Sequence, residues 1–271
     1  MKCAFSTLAC TELPFAEVLA LAKRTGMEAV EIRLDRENLL CGYPMEKLPQ
    51  AKRMLDESGL VICDVGSGIS IKTWDESCFA PLGQCAQIAS IMGARGVRVF
   101  LGDSARRHSD PVVRDIEGVA RTLRRCAEIV RPYGVEIWLE THSNFSTGAV
   151  MREVLDLVGY DEIQVLWDIM HSIEWGESPA ETVKALGKSL VHVHLKDGAR
   201  PQDPDLIHYT LTKMGEGEVR FEEIASALKS IGYDGYLSLE WEQAWHPELS
   251  RYFPSTDALL MHYHTFLNNH F

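Results

Sequence analysis

Short runs rich in β-branched and aromatic residues alternate with longer amphipathic stretches along the whole chain. This alternation is typical of parallel strands joined by crossover helices. The hydrophobic pattern predicts strands at residues 3–7, 28–34, 60–66, 96–102, 135–141, 163–169, 190–196 and 235–241. Eight such units predict an α/β fold of the closed (β/α)8 type, a TIM barrel, for which roughly 250 residues is a typical length.

Amphipathic helices are predicted between these strands, and each ends near a glycine or proline that can stop a helix. The clearest segments are 14–25, 115–132, 151–158, 179–186 and 221–230. No linker or low-complexity tract divides the chain, so we predict one domain over residues 1–271. The alternative is an open doubly wound sheet. Such a sheet usually carries a GxGxxG turn after its first strand, and this chain has none there.

The composition indicates the cellular compartment in which the protein is expected. Hydrophobic residues make up 46% of the chain and charged residues 24%, and no apolar run approaches the ~20 residues that cross a bilayer. Residues 1–8 are expected to form a strand rather than a signal peptide, because Thr11, Glu12 and Pro14 interrupt the apolar stretch. The seven cysteines are odd in number and form no CxxC pair. We therefore expect a cytoplasmic protein without membrane segments.

The charge balance argues against nucleic acid as a partner. The formal net charge is −12 and the pI is about 5.3, and lysine and arginine nowhere form a cluster. Such a surface would repel a phosphate backbone. We expect a small molecule as the partner instead.

Polar side chains stand at the ends of the last four predicted strands. Side chains of a barrel strand alternate between the interior and the helix layer, so apolar residues at every second position mark the helix-facing side. The opposite parity directs Glu140, Asp168, His194 and Glu240 into the barrel, each near the carboxyl end of its strand. The active sites of TIM barrels lie at that end.

Three carboxylates that meet at one point repel one another, and a bound cation removes this repulsion. We therefore predict one divalent metal ion held by these four residues. An oxygen-rich set with one imidazole suits Mn²⁺, Mg²⁺ or Co²⁺, with Mn²⁺ preferred and Zn²⁺ as a further candidate. One acidic residue alone is explained more simply as a helix cap, but four in register favour a shared ion. His192 has the same parity but lies deeper, and we expect it to be a hydrogen-bonded support.

Five short motifs follow one another along the second half of the chain. They are LETH (139–142), LWDIMH (166–171), HVHLKDGAR (192–200), MGEGEVRF (214–221) and LSLEWE (237–242). As a set they resemble the xylose-isomerase-like barrel superfamily of sugar isomerases and epimerases. The superfamily includes ketose 3-epimerases, inosose isomerases and dehydratases, hydroxypyruvate isomerases and the DNA-repair enzyme endonuclease IV.

The resemblance implies roles for individual residues. In ketose 3-epimerases, Glu, Asp, His and Glu on the last four strands hold the metal ion, and these match the four ligands predicted above. The same enzymes place a His three residues after the Asp and an Arg six residues after the His, which correspond to His171 and Arg200. The second Glu of that pattern is replaced by Ser146, which departs from a strict ketose 3-epimerase.

Endonuclease IV is the nucleic-acid enzyme of the superfamily, and this chain does not match it. Its three-zinc cluster needs additional His and Glu ligands on earlier strands. Phe5, Arg33 and Asp64, which stand on the earlier strands here, do not supply that set. Together with the acidic net charge, this argues against a role in DNA repair.

The ligand set and the resemblance together predict a metal-dependent sugar isomerase or epimerase. The substrate is expected to be a keto-sugar or related polyol that reacts through an enediolate, with Glu140 and Glu240 as the acid/base pair. His171, Arg200, His142 and Trp175 are the candidate substrate contacts. The alternatives are a keto-sugar or inosose dehydratase or lyase on the same scaffold and a non-catalytic sugar-binding subunit. Barrels of this family often pair, which allows a homo-oligomer.

Overall fold

Eight parallel strands close into a barrel in the computed structural model, which describes residues 1–34 and 45–271. The barrel strands are β1 (Lys2–Ser6), β2 (Ala29–Arg33), β3 (Val61–Ile71), β4 (Gly96–Leu101), β5 (Glu136–Glu140), β6 (Ile163–Asp168), β7 (Leu190–Leu195) and β10 (Tyr236–Leu239). The last strand closes the ring between β7 and β1. The predicted TIM barrel is therefore confirmed. A small antiparallel pair, β8 (Asp197–Ala199) and β9 (Thr210–Thr212), follows β7 outside the ring.

Helices cover the outside of the barrel. They are α1 (Phe15–Arg24), α2 (Leu48–Ser58), α3 (Phe79–Met92), α4 (Ile116–Val130), α5 (Gly148–Val158), α6 (Ile169–Glu174), α7 (Pro179–Leu186), α8 (Phe221–Ser230) and α9 (Thr256–His270). The five predicted helical segments correspond to α1, α4, α5, α7 and α8. Within the described ranges, none of these helices is both long enough and apolar enough to span a bilayer.

Local sequence explains where the helices around the site begin and end. Ser178 caps α7 by accepting a hydrogen bond from the backbone of Glu181, whose side chain in turn accepts one from the Ser178 backbone. Gly159 ends α5 with a φ of 66°, a left-handed conformation that glycine adopts without steric cost. These caps fix the lengths of the helices that lead from one strand to the next.

The two faces of the barrel wall differ in chemistry. Helix-facing side chains such as Ile137, Leu139 and Trp167 are fully buried in one hydrophobic core with the helices. The inward-facing side chains include fully buried charged groups such as Glu31 and Arg98. A buried charge is costly unless it is paired. Both of these groups accordingly take charged partners inside the barrel, at the end where the strands finish.

Candidate active site and metal centre

The four predicted metal ligands converge at the carboxyl end of the barrel. Glu140 and Asp168 end β5 and β6, His194 lies on β7, and Glu240 follows directly after β10. All four side chains are buried, and one ligand atom from each lies within 4.8 Å of those of the others. The strand register explains this arrangement. Asp168 on β6 and Ser238 on β10 both lie opposite His194 on β7 in the backbone pairing of the strands, and Glu240 follows Ser238 by two residues. Alternation along adjacent strands thus brings the four side chains together.

The orientation of His194 fits a metal ligand. Its Nε2 donates to Oε2 of Glu31, a buried carboxylate on β2, at 2.6 Å. Its Nδ1 lies 3.6 Å from Glu140 Oε1 and 3.5 Å from Glu240 Oε2, and it has no hydrogen-bond partner among residues 1–34 and 45–271. Metal-binding histidines commonly hydrogen-bond a carboxylate through their second nitrogen in this way. The donors present therefore fit a divalent ion.

A proton competes with an ion for His194. Burial favours the neutral imidazole, but Glu31 and Glu240 outweigh burial and raise the pKa of His194 well above its ordinary value. A metal ion has to replace the proton on Nδ1 in order to bind there. An ion that bound at this site would therefore release a proton.

Two buried arginines hold the two glutamates. Arg98 Nε lies 3.0 Å from Glu140 Oε2, and Arg33 Nη1 lies 3.0 Å from Glu240 Oε1. Burial alone would raise the pKa of Glu140, but Arg98 and His194 together outweigh it and lower that pKa below its ordinary value. Both carboxylates are thus fixed in orientation by an ion pair on one oxygen.

Lys196 is the third buried cation at the site. Its Nζ lies 2.8 Å from Asp168 Oδ2 and 2.7 Å from Glu240 Oε2, and it also bonds Glu242. Burial would raise the pKa of Glu240, but Lys196 and His194 together lower it well below its ordinary value. Glu240 is therefore an ionised carboxylate at neutral pH.

Sequence reasoning did not assign Glu31, Arg33, Arg98 or Lys196 to the site, although a signal was present. Arg98 interrupts the apolar run GVRVFL, and Lys196 stands two residues after His194 with the same parity. A charged residue at an inward position of a barrel strand must find a partner inside the barrel. Inward charged residues of this kind are therefore recognisable in the sequence as members of the site.

Two of the predicted substrate contacts lie beside the four ligands. The rings of His142 and His171 meet edge to face with their centroids 4.5 Å apart. His171 Nδ1 lies 2.9 Å from Glu174 Oε2, and its Nε2 lies 3.7 Å from Asp168 Oδ2. Burial opposes the charged form, but Asp168 and Glu174 outweigh it and raise the pKa of His171 to about 9. Burial lowers the pKa of His142 to about 3, so a neutral and a charged imidazole stand side by side.

Three adjoining cavities lead outward from the ligands. The first, of about 310 Å³, opens onto Glu140 and Glu240 and is lined also by His142 and Trp245. The second, of about 210 Å³, shares His142 with the first and contains His171 and His208 in its wall. The third, of about 390 Å³, shares Glu174 and Tyr209 with the second. The three cavities are therefore neighbours that share wall residues.

Arg200 and Trp175, the other two predicted substrate contacts, line the third cavity and not the first. Arg200 lies in the turn after β8, where its Nε donates to the hydroxyl of Tyr209 at 2.9 Å, and 72% of its side chain is exposed. Trp175 directly follows α6 and packs edge to face against His108. The chain leaves the barrel after β7 to form the β8 and β9 pair, and this carries Arg200 away from the four ligands.

The model of one protein family, described as xylose isomerase-like TIM barrel, matches residues 19–256. The chain belongs to this family, which confirms the superfamily predicted from the five motifs. The matched segment includes all eight of the predicted site residues.

Individual relatives carry out different reactions. The chain is 27% identical over 141 residues to an inosose dehydratase of Lacticaseibacillus casei, a match that covers 47% of each protein. It is 23% identical over 263 residues to a 2-oxo-tetronate isomerase of Haemophilus influenzae, covering 87% of this chain and 91% of that one. The solved structure of an IolI protein with a bound zinc atom shares the fold, with a TM-score of 0.80, 19% identity and coverage of 100% and 99%. Several of the curated relatives are matched over less than half of their length.

Proposed function

We propose that this protein is a divalent-metal-dependent isomerase or epimerase of a small keto-sugar or related polyol. Glu140, Asp168, His194 and Glu240 would hold the ion, with Mn²⁺ as the expected metal. The observation that carries the proposal is the convergence of these four buried groups, with Nδ1 of His194 facing the two glutamates and its Nε2 held by Glu31.

Glu140 and Glu240 are proposed as the acid/base pair. Both carboxylates border the first cavity, and both have pKa values below the ordinary range, so each is in the form that accepts a proton. An arginine holds one oxygen of each carboxylate, and Lys196 also pairs with the second oxygen of Glu240, which limits the directions from which either carboxylate can reach a substrate C–H. A bound dication would supply positive charge for the two adjacent substrate oxygens as negative charge develops there.

The remaining polar groups would orient the substrate. The charged His171 and the neutral His142 can donate hydrogen bonds to a carbonyl or hydroxyl oxygen that lies in the first two cavities. Arg200 and Trp175 would contact only the far end of a longer substrate, since they line the third cavity. A small unphosphorylated keto-sugar would be held mainly by the histidines and the charged groups at the barrel mouth.

A dehydratase is the second candidate, and one specific observation favours it. Two buried cations, Lys196 and His171, lie 2.8 Å and 3.7 Å from Oδ2 of Asp168, and their raised pKa values keep both protonated at neutral pH. If a glutamate removes a proton from the carbon next to the carbonyl, either cation could protonate the hydroxyl that leaves from the neighbouring carbon, and water is lost. The similarity to an inosose dehydratase is consistent with this second reaction.

Deuterium exchange separates these reactions. The metal-loaded protein would be incubated in D₂O with a panel of unphosphorylated ketoses, inososes and short 2-oxo sugar acids, and the products examined by mass spectrometry and NMR. Incorporation of one deuteron into an isomeric product supports the isomerase or epimerase, and loss of water supports the dehydratase. Binding without exchange or dehydration of any compound would contradict both and would indicate a sugar-binding subunit.

A further inference from the structure

A second group of potential metal ligands lies inside the barrel, separate from the four ligands at its mouth. Cys63 and Asp64 on β3 and His192 on β7 each place one ligand atom within 4.8 Å of those of the other two. All three side chains are buried, Asp64 and His192 completely. The proposed reaction uses none of them.

An irregularity in the sheet brings Cys63 and Asp64 to the same place. Val30 of β2 pairs with Ile62 of β3, but the next residue, Glu31, pairs with Asp64. Cys63 is therefore an extra residue on β3, a β-bulge, and such bulges change the direction of side chains near functional sites. In a regular strand, two consecutive side chains would point to opposite faces. Here Cys63 Sγ lies 3.4 Å from Asp64 Oδ1.

Three buried polar atoms of this group lack hydrogen-bond partners among the described residues. These atoms are both ring nitrogens of His192 and Oδ2 of Asp64, contrary to our expectation that His192 is a hydrogen-bonded support. His192 Nε2 lies 3.8 Å from Asp64 Oδ1 and 3.8 Å from Glu31 Oε2. Leaving buried polar groups unpaired is unfavourable, so each such group calls for a partner. Two ligands of one tetrahedral zinc ion are about 3.4 Å apart, so these atoms are spaced nearly as ligands of a shared ion would be.

We propose that Cys63, Asp64 and His192 bind a second divalent ion, of the zinc type, inside the barrel. A thiolate, an imidazole and a carboxylate are the donors that zinc takes in proteins, whereas the set at the barrel mouth contains no sulfur. Burial and Glu31 raise the pKa of Asp64, so binding releases a proton from Asp64 as well as the proton of the Cys63 thiol, both to solvent.

The neighbouring groups provide an entry route for this ion and connect it to His194 at the barrel mouth. A cavity of about 610 Å³ at the amino end of the barrel is lined by Cys63 and by Trp138, whose ring stacks on His192 at a centroid distance of 5.4 Å. Glu31 lies between the two sites, since its Oε2 accepts from His194 and lies close to His192 Nε2. An interior ion would therefore help to hold the carboxylate that orients His194.

Cobalt spectroscopy tests this proposal independently of catalysis. The protein would be freed of metal with a chelator and titrated with Co²⁺ under reducing conditions, while absorption and metal content are measured. Thiolate bound to Co²⁺ gives a charge-transfer band in the near ultraviolet, and of the two proposed ligand sets the interior one alone contains a thiol. Because the mouth set would also take Co²⁺, we expect this band to reach its maximum as the bound metal content approaches two equivalents. Its absence from the wild-type protein at saturating Co²⁺ would overturn the proposal.

Variants at two cysteines and at one residue of the barrel mouth show which thiol gives the Co²⁺ band. Cys63→Ala should abolish it, whereas Cys85→Ala, which alters a buried cysteine on α3, should leave it unchanged. Circular dichroism checks the folding of each variant. If Cys63→Ala is unfolded, Cys63→Ser replaces it in the test. A band that persists in the Cys63 variant, or disappears in the Cys85 variant, would contradict the assignment. Asp168→Asn should weaken binding at the mouth but keep the band, so the two sites can fail separately.

Discussion

Two halves of the barrel, strands β5 to β10 and strands β2 to β4, make different contributions to the candidate active site. Strands β5, β6, β7 and the end of β10 supply the four proposed ligands. Strands β2 and β4 supply Glu31, Arg33 and Arg98, each of which contacts one of these ligands through a hydrogen bond or an ion pair. One half thus carries the groups that would meet metal and substrate, together with Lys196, and the other half carries the remaining groups that fix their charge and orientation. The comparison suggests that variants in the first half should impair turnover and metal affinity, whereas those in the second half should act through stability and orientation.

The largest effect is expected from the two proposed acid/base residues. Glu240→Gln and Glu140→Gln each keep one oxygen for a metal ion but cannot accept a proton at neutral pH. Turnover should fall by ~10² to 10⁴, the usual contribution of general acid–base catalysis, while most of the metal is retained. The measurements are kcat and metal content, with Glu223→Gln on the exposed face of α8 as the control.

Hydrogen exchange extends this test to each face of the substrate. If one glutamate serves each face, each variant should still exchange the substrate proton on the face that its surviving glutamate reaches. Near-normal turnover in both variants would rule out the two-carboxylate mechanism. Loss of exchange from both faces in one variant would indicate a single base, as in a dehydratase.

Arg98→Met tests the supporting half of the barrel. The substitution leaves Glu140 as a buried carboxylate without its guanidinium partner, because Arg98 and Glu140 are both fully buried. Breaking a buried ion pair in this way is expected to lower the free energy of unfolding by ~3–5 kcal/mol. Arg220→Met removes the exposed pair with Glu223 and should cost ~1 kcal/mol or less. Urea denaturation of the metal-free proteins measures both, and equal losses would contradict the supporting role.

Asp168→Asn should weaken metal binding by at least ~tenfold, because it removes a charged ligand from the proposed set of four. Asparagine can still cap α6, as Asp168 does by accepting from the Met170 backbone, so the fold should be kept. His194→Ala should have a similar effect on metal affinity. Isothermal titration with Mn²⁺ measures the change. Full metal occupancy after dialysis of either variant would remove that residue from the ligand set.

Glu31→Gln sharpens the distinction between a ligand and its support. The side chain keeps its size, but the carboxylate that orients His194 loses its charge. Loss of such a supporting carboxylate typically lowers metal affinity by ~10-fold to 100-fold, and we expect the lower end of this range because the amide oxygen can still accept the Nε2 proton. The same titration with Mn²⁺ measures it. An unchanged affinity would mean that Glu31 does not control His194.

The difference between the proposed ligands and their supporting residues also explains how much of the fold and of the site could be predicted from the sequence. The eight strands and the convergence of Glu140, Asp168, His194 and Glu240 follow from hydrophobic alternation and from the rule that barrel strands present their carboxyl ends at one mouth. The contact of Glu31 with His194 could not be predicted, because it joins residues 163 positions apart across the barrel. The bulge at Cys63 is a local register shift that alternation cannot foresee. The spacing from His194 singles out Arg200, but spacing does not show where the intervening chain turns away from the barrel.

The smallest effect is expected at Arg200. Its side chain is mostly exposed and bonds Tyr209, with Glu218 at 3.6 Å, and it lines the outer cavity and not the one that borders the glutamates. Exposed ionic contacts contribute ~0–1 kcal/mol, so Arg200→Ala should change KM for a small keto-sugar by less than about fivefold and leave kcat nearly unchanged. Steady-state kinetics with short and longer substrates measure this, and any increase in KM should be larger for the longer ones. A loss of kcat comparable to that of Glu240→Gln would mean that Arg200 reaches the reacting atoms during turnover, and the division between inner and outer cavities would then be wrong.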